Sequence, residues 1–461
     1  MKIGLEIHVY LNMERSKAKL FCNCSVDNQD AIPNTNICPI CTGMPGSKPM
    51  LPNGEALKKV IAISAMLKCT INKTLIFQRK HFSWPDLPNG YQKTMSGPSV
   101  LPVGSNGEMN GINIWGVHLE EDPAKWDPQT GRINYNRSGL PLAEIVTAPD
   151  LKSPEEAKEW LRSLIVLLNY VRAILRGSSV KADVNINIQG HPRVEVKNIN
   201  SFKNICFAID YELKRQTEVL KKKQEVKPET RGFNEESCET FHMRFKESAE
   251  DYRFIPEPDL LPIALSEKTI KEIQKELPQP PAERIDHYKT KHHLSEQQAK
   301  ILASELVIAT IFEEVVKEVS PQLAANWLTA DFMQLLKEED IEQFNIDVKE
   351  LTKILKFLDE KKITEKVTKD MIRKLMWEKM SAAEYQKNFG IEKITDKSFL
   401  EPLCAKIIEE NKKAVEDYKR GKEQAFNSLV GKVMAQTKGK AAYEEVIAIL
   451  KKLLKNNTEH R

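Results

Sequence analysis

Four of the eight cysteines in this 461-residue chain crowd into one stretch, as Cys22-Asn23-Cys24 and Cys38-Pro39-Ile40-Cys41. Paired thiols one or two residues apart each close a tight loop, and two such loops together can hold a tetrahedral Zn²⁺. Two disulfides, or four unrelated thiols, would use the same residues. With sulfur in all four positions no site is left open for water, which favours a structural zinc over a catalytic one.

Oxygen and nitrogen donors are spread more widely. Glu6 and His8 stand two apart in an alternating segment, so both project from one face with Cα atoms about 7 Å apart, within reach of one metal ion. Glu120-Glu121-Asp122 ends a second alternating segment, 112–119. Three consecutive carboxylates there read either as a solvated turn or as a site for Mg²⁺, which takes a few carboxylates, waters and the phosphates of a nucleotide. Glu144 stands inside the apolar run Leu142 to Val146, where a carboxylate needs a partner. Segment 79–92, which contains Lys80, mixes basic, aromatic and turn residues; it suits a phosphate and a flat or carbonyl group, and equally an ordinary surface loop. No Gly-x-x-x-x-Gly-Lys-Ser/Thr loop occurs, so nucleotide use is not of the P-loop kind. Gly177-Ser178-Ser179 follows a helical pattern and lacks the strand-turn-helix setting of a nucleophile elbow, so the chain has no glutaminase of its own.

The elements that must position these groups are legible in outline. Ile3, Leu5, Ile7, Val9 and Leu11 alternate with Gly4, Glu6, His8 and Tyr10, the pattern of a half-buried strand. Val180 to Ile188 alternates likewise and displays Lys181, Asp183 and Asn185 on its polar face. Ser153 followed by Pro154-Glu155-Glu156 caps a helix with an apolar stripe that should run to Gly177. Ser201 is placed to cap another, from Lys203 to about Lys221. After about residue 282 amphipathic helices follow one another, over 294–319, 321–337, 348–361 and 369–380, with a pause near 391–397. An α/β body followed by helical appendages results, in two to four domains.

Composition excludes some classes. The net charge is only +4, so the whole chain is no polybasic nucleic-acid binder. Residues 401–461 hold 13 basic against 9 acidic side chains, which accounts for the entire excess and suits either RNA contact or a solvated helical surface. No segment reaches the ~20 apolar residues of a membrane span. The absence of a secretory leader and the scattered single cysteines Cys69, Cys206, Cys238 and Cys404 point to a cytoplasmic protein.

Several motifs stand together: Gly4 to Val9, Pro33 to Asn36 before the second thiol pair, Gly43-Met44-Pro45-Gly46, Arg79-Lys80 with Pro85-Asp86, and His118 to Asp122. Tyr135 to Val146, Lys197 to Phe202, Glu229-Thr230-Arg231, Asp251 to Asp259, Leu429 to Met434 and Thr437 to Ala441 continue them. Together they resemble the GatB family, the B subunits of the glutamine-dependent aspartyl/glutamyl-tRNA amidotransferases. The resemblance implies an α+β architecture: a catalytic cradle domain on an antiparallel sheet with helices (1–290), an all-α helical domain (291–396) and an all-α tail domain that holds tRNA (397–461). It also implies ATP-dependent transamidation of misacylated Asp-tRNA(Asn) or Glu-tRNA(Gln) through a phosphorylated side chain. The family's Mg²⁺ ligands fall on Glu6, His8, Glu121 and Glu144, and Lys80 resembles a lysine lining an ammonia channel. The ammonia would come from the enzyme's amidase partner, its A subunit, with a small C subunit completing a heterotrimer. Zinc on Cys22, Cys24, Cys38 and Cys41 would be structural.

Overall fold

The alternation that opens the sequence becomes the middle of a sheet. Strand β1 (Lys2–Tyr10) turns Ile3, Leu5, Ile7 and Val9 into the core at no more than 1% exposure and leaves Glu6 and His8 half-buried on the other face. The structure is a computed structural model that describes residues 1–27, 31–98, 100–174, 180–245, 252–332, 334, 346–390, 394 and 396–456. The chain divides into two compact units, Met1–Ala282 and Glu283–Arg461.

After β1 the first unit runs through helix α1 (Gly54–Met66), β2 (Thr70–Ile71), β3 (Thr74–Leu75), β4 (Gln78–His81), β5 (Tyr91–Thr94), β6 (Gly104–Met109) and β7 (Ile112–Glu121). It continues through β8 (Lys125–Trp126), β9 (Ile133–Asn134), β10 (Pro141–Thr147), α2 (Pro154–Tyr170), β11 (Lys181–Asn187), β12 (Val194–Ile199) and α3 (Phe202–Lys221). Then come β13 (Glu229–Asn234), β14 (Glu239–Phe245), β15 (Ile255–Pro256), β16 (Ile263–Ala264) and α4 (Glu267–Glu276). The main sheet has the order β14-β13-β12-β11-β1-β10-β7-β5-β4-β15, with β6 joining β2 to β7. Its ladders are antiparallel except β12 with β13, where α3 carries the chain back over the sheet so that the next strand enters in the same direction.

Helix α2 begins as its sequence dictates. Ser153 Oγ accepts from the Glu156 amide, and Pro154 occupies a first-turn position whose missing N–H costs nothing. The helix ends at Tyr170, earlier than the apolar stripe suggests, because Val171 leaves helical geometry and Arg172 takes φ +48°. Gly177 lies outside the described residues. Trp160 buries its ring and donates Nε1–H to the Met109 carbonyl at 2.9 Å, so burial of its apolar surface leaves no polar atom unsatisfied. Ser201 caps α3 by accepting from the Asn204 amide at 3.1 Å.

The second unit is helical, and two of the expected segments are interrupted, with 333 and 335–337 of the second lying outside the described residues. Helices Glu296–Leu302 and Leu306–Val315 divide one expected segment, and Pro321–Trp327 passes into a π-helical turn at Leu328–Phe332. Two separate apolar cores form, one around Tyr288, Phe312, Leu351 and Met371, the other around Leu400, Leu429, Val433 and Leu450. Among the described residues no helix is long and apolar enough to cross a membrane.

Candidate active site

The polar face of the sheet forms the floor of a cleft of about 650 Å³ within the first unit. Register decides what meets there. His8 stands opposite Glu144, Glu144 opposite His118, Glu6 opposite Asp183, and Thr94 opposite Glu120. Directly paired residues share a face with Cβ atoms about 5 Å apart, so four strands deliver their acids to one place. His8 Nε2 lies 3.4 Å from Glu120 Oε1, 3.8 Å from Glu144 Oε2 and 3.9 Å from Glu6 Oε1. One donor atom each from Glu6, His8 and Glu144 lies within 4.8 Å of the others. An octahedral cation with bonds of about 2.1 Å needs donors roughly 3 to 4 Å apart, so Glu6, His8 and Glu144 fit Mg²⁺ without rearrangement of the sheet, and Glu120 stands beside them against His8.

The electrostatics are those of acids crowded round one imidazole. Burial, with Glu144 adding, pushes the Glu6 carboxyl up to about 7. Burial also opposes charge on His8, yet its contacts with Glu120 and Glu144 hold the imidazolium well above its ordinary value. Glu144 goes the other way: its burial is outweighed by His8, His118 and Lys80, and its carboxyl is held low. Glu120 and Glu144 are only 3% and 6% exposed. Crowding three carboxylates round one imidazole in such a place is unfavourable unless a cation shares it.

Glu121 does not join them. Neighbours on a strand point to opposite faces, so the parity that sends Glu120 to His8 sends Glu121 behind the sheet. There its Oε1 accepts from the Lys93 amide at 3.0 Å and pairs with Lys93 Nζ at 2.7 Å, both side chains largely buried. Of the two neighbouring acids it is Glu120 that lies against His8, at 3.4 Å, on the face that carries Glu6 and Glu144.

Around the acids stand cations. Lys80 reaches in from β4 with its Nζ 4.9 Å from the Tyr252 ring centroid; burial would strip its proton, but Glu120, Glu144 and Glu6 keep it charged. Lys197 pairs with Asp183 at 2.7 Å and with Glu195 at 3.5 Å. Lys181, opposite His8 in the sheet, also lines the cleft and makes no hydrogen bond or ion pair through its side chain among the described residues. Farther along, the Tyr10 hydroxyl donates to Asp122 at 2.7 Å and Arg137 Nε lies 3.1 Å from the same oxygen. Trp84 and Trp126 face each other there with ring centroids 6.0 Å apart.

The four thiols also converge. One sulfur each from Cys22, Cys24, Cys38 and Cys41 lies within 4.8 Å of the rest, and Cys38 and Cys41 are 3.9 Å apart. Tetrahedral zinc with bonds of about 2.3 Å separates its sulfurs by roughly 3.8 Å, so the donor set fits. The eight cysteines are all unpaired. The Cys22 thiol beside Cys41, with the Cys38 amide and the Lys19 ammonium adding, holds Cys41 down to about 4, while the bond to Cys41 and burial push Cys22 up and burial raises Cys24, so a metal there would displace protons. Just beyond the quartet Gly43 takes φ +66°, and a Cβ there would meet the Pro88 carbonyl oxygen at 2.6 Å, so the turn closing the second thiol loop admits only glycine.

The GatB/GatE catalytic-domain family matches residues 1–271, and the GatB domain family matches residues 310–454. The B subunit of the aspartyl/glutamyl-tRNA(Asn/Gln) amidotransferase of Methanocaldococcus jannaschii is 43% identical, with 98% of each chain covered. The chain belongs to that GatB family. The protein of the same name from Methanothermobacter thermautotrophicus is 42% identical over 98% of this chain and 99% of its own, and that from Methanopyrus kandleri is 40% identical over 98% of both. Amidotransferases of this kind are carbon-nitrogen ligases, and the chain is an enzyme of that class.

Within the GatB fold, the structure gathers Glu6, His8, Glu144, Lys80 and the four thiols much as the sequence suggests, and it adds neighbours that sequence reasoning missed. Among the three consecutive acids, the parity that Glu120 shares with His118 is the signal that puts it on the face of Glu144. The meeting of Tyr10 and Arg137 with Asp122 gave none, since the three lie up to 127 residues apart and come together only through the sheet.

Proposed function

We propose that the chain converts the side-chain carboxylate of aspartate or glutamate, carried on Asp-tRNA(Asn) or Glu-tRNA(Gln), to the amide in two steps within the cleft, as one member of a cytoplasmic heterotrimer. The observation that carries this reading is the convergence of Glu6, His8, Glu120 and Glu144 beneath the ammonium groups of Lys80 and Lys181. The relatives are named for these tRNAs and for amide transfer.

The chemistry requires such a place. A carboxylate resists ammonia because oxide would have to leave, so one side-chain oxygen first attacks the γ-phosphorus of ATP and ADP departs. Ammonia then adds to the acyl carbon, phosphate leaves with the C–O bond's electrons, and the nitrogen loses a proton. Mg²⁺ held by the four ligands would supply neutralisation of the phosphoryl charge. Lys80 and Lys181 answer the remaining charge of the triphosphate and the substrate carboxylate. The low-dielectric cleft makes that attraction stronger than it would be in water. Arg137 is held to the Pro123 and Ala124 carbonyls at 2.9 and 2.5 Å and therefore presents a fixed wall. Ammonia would reach the site from the amidase partner by way of Lys80, with the small C subunit in the assembly and the zinc structural.

The test is amide formation on both misacylated tRNAs by the reconstituted complex carrying Glu120→Gln. We expect loss of about 10³-fold, the counterpart of ~4 kcal/mol of charge stabilisation. Unchanged turnover with tRNA binding intact would overturn the reading.

A further inference from the structure

Lys19 is buried to 1% exposure, and among the described residues no carboxylate lies within ion-pair distance of it. Its three protons find three acceptors: the Asn36 carbonyl at 2.9 Å, the Tyr135 carbonyl at 3.2 Å and Cys41 Sγ at 3.5 Å. A buried ammonium needs a counter-charge, and the candidate at hand is sulfur. Four thiolates on one divalent ion leave two negative charges in excess, so cation and cluster each supply what the other lacks. The Cys38 amide, 3.3 Å from Cys41 Sγ, adds a second donor to the same sulfur.

The two carbonyls matter as much as the sulfur. Asn36 lies between the thiol pairs, whereas Tyr135 belongs to the segment 133–140 that leads into β10. Further bonds join the same two segments: Asn36 N–H to Asn136 Oδ1 at 2.9 Å, Leu20 N–H to the Gly139 carbonyl at 2.9 Å, and Ser138 Oγ to the Cys41 carbonyl at 2.7 Å. Gly139, at φ +83°, packs so closely that a Cβ would touch both Cys41 and the Lys19 stem at 3.6 Å. In the middle of this segment stands Arg137, whose guanidinium forms part of the cleft wall beside Asp122. One ammonium therefore touches a metal ligand and the backbone two residues from a cleft cation.

We propose that Lys19 is a positioning residue shared by the two sites: its charge stabilises the metal-loaded thiol cluster, and its carbonyl bonds convey metal occupancy to the Arg137 wall of the cleft. This rests on the quartet holding a metal, so the first measurement is zinc content of the purified full chain, and a parent that neither contains nor takes up zinc would overturn the proposal together with that reading. Given zinc in the parent, Lys19→Met keeps the side chain's length and removes its charge and donors. Lys19→Gln removes the charge and keeps an N–H donor. Competition with a colorimetric chelator should show zinc bound about 10 to 100-fold more weakly by both variants, the range typical of outer-sphere partners. The Co²⁺-substituted forms should keep the thiolate charge-transfer band, since all four ligands remain. Hydrogen exchange of segment 133–140 should quicken in Lys19→Met, and equally in the parent once the metal is chelated, a comparison that does not depend on any variant folding. Zinc affinity within about twofold of the parent in both variants would overturn the electrostatic half. Exchange of 133–140 indifferent to chelation would overturn the coupling.

Discussion

The thiol quartet and the carboxylate-histidine cluster are both donor sets that fit a divalent cation, and they are assembled in opposite ways. The thiols come from residues 22–41 and are closed by local turns, with Thr42 N–H on the Cys38 carbonyl at 3.1 Å and Gly43 N–H on that of Ile40 at 3.2 Å. The oxygen site draws on residues 6 to 144 and exists only when three strands of a large sheet are in register. In the first case the metal would organise the chain; in the second the chain organises the metal. Metal binding should then contribute to folding at the thiols and to chemistry at the acids.

Removing each metal separately probes this division most strongly. Withdrawal of zinc should lower the stability of the first unit by several kcal/mol, because the thiol loop loses its organising centre. Thermal unfolding with and without a zinc-selective chelator measures it. Withdrawal of Mg²⁺ should abolish phosphoryl transfer while leaving the unfolding midpoint within about 2 °C, since the sheet is held by its core. If chelating zinc stops phosphoryl transfer before it lowers the midpoint, the thiols take part in chemistry and the contrast fails.

The same division explains what the amino-acid sequence revealed. Local elements were legible: β1 from its alternation, α2 and α3 from Ser153 and Ser201, the thiol site from its spacing. What was not legible depends on register between distant strands. A slip of one residue exchanges the faces of a strand, so Glu120 and Glu121 are indistinguishable until the pairing of Glu144 with His118 is known. The helices over 348–361 and 369–380 were found, but the breaks at 303–305 and at the π-helical turn after Trp327 were not, because an apolar stripe continues across a break in the backbone.

The two faces of β7 give the next contrast. Behind the sheet, Glu121→Gln leaves the Lys93 ammonium buried without its partner and should cost about 3 kcal/mol, read by urea unfolding. Titration with Mn²⁺ should find its metal affinity within about threefold of the parent, whereas Glu120→Gln should lose roughly 10 to 100-fold. The reverse result would restore Glu121 to the metal. On the front of the sheet, Glu6→Gln should have the opposite sign. Burial and Glu144 raise the folded Glu6 carboxyl from 4.5 to about 7, so ionising it costs the folded state, and that cost appears as pH rises through this interval. Without metal, Glu6→Gln should therefore be about 2 kcal/mol more stable than the parent at pH 8 and no more stable at pH 4. Equal gains at both pH values would show that packing, not charge, sets the difference.

Ser138→Ala gives the smallest effect and bears on the seam between the two regions. Ser138 is 4% exposed, and its Oγ donates to the Cys41 carbonyl at 2.7 Å, one of several bonds joining the thiol loop to the segment that carries Arg137. Its loss should cost about 1 kcal/mol, since a single neutral bond is removed and a buried carbonyl is left to relax toward neighbouring donors. Zinc affinity should fall less than threefold, because neither charge nor ligand is touched. A loss of zinc affinity as large as that expected for Lys19→Met would mean that the metal site depends on the seam as a whole, and that the thiol quartet is no more local in its assembly than the carboxylates are.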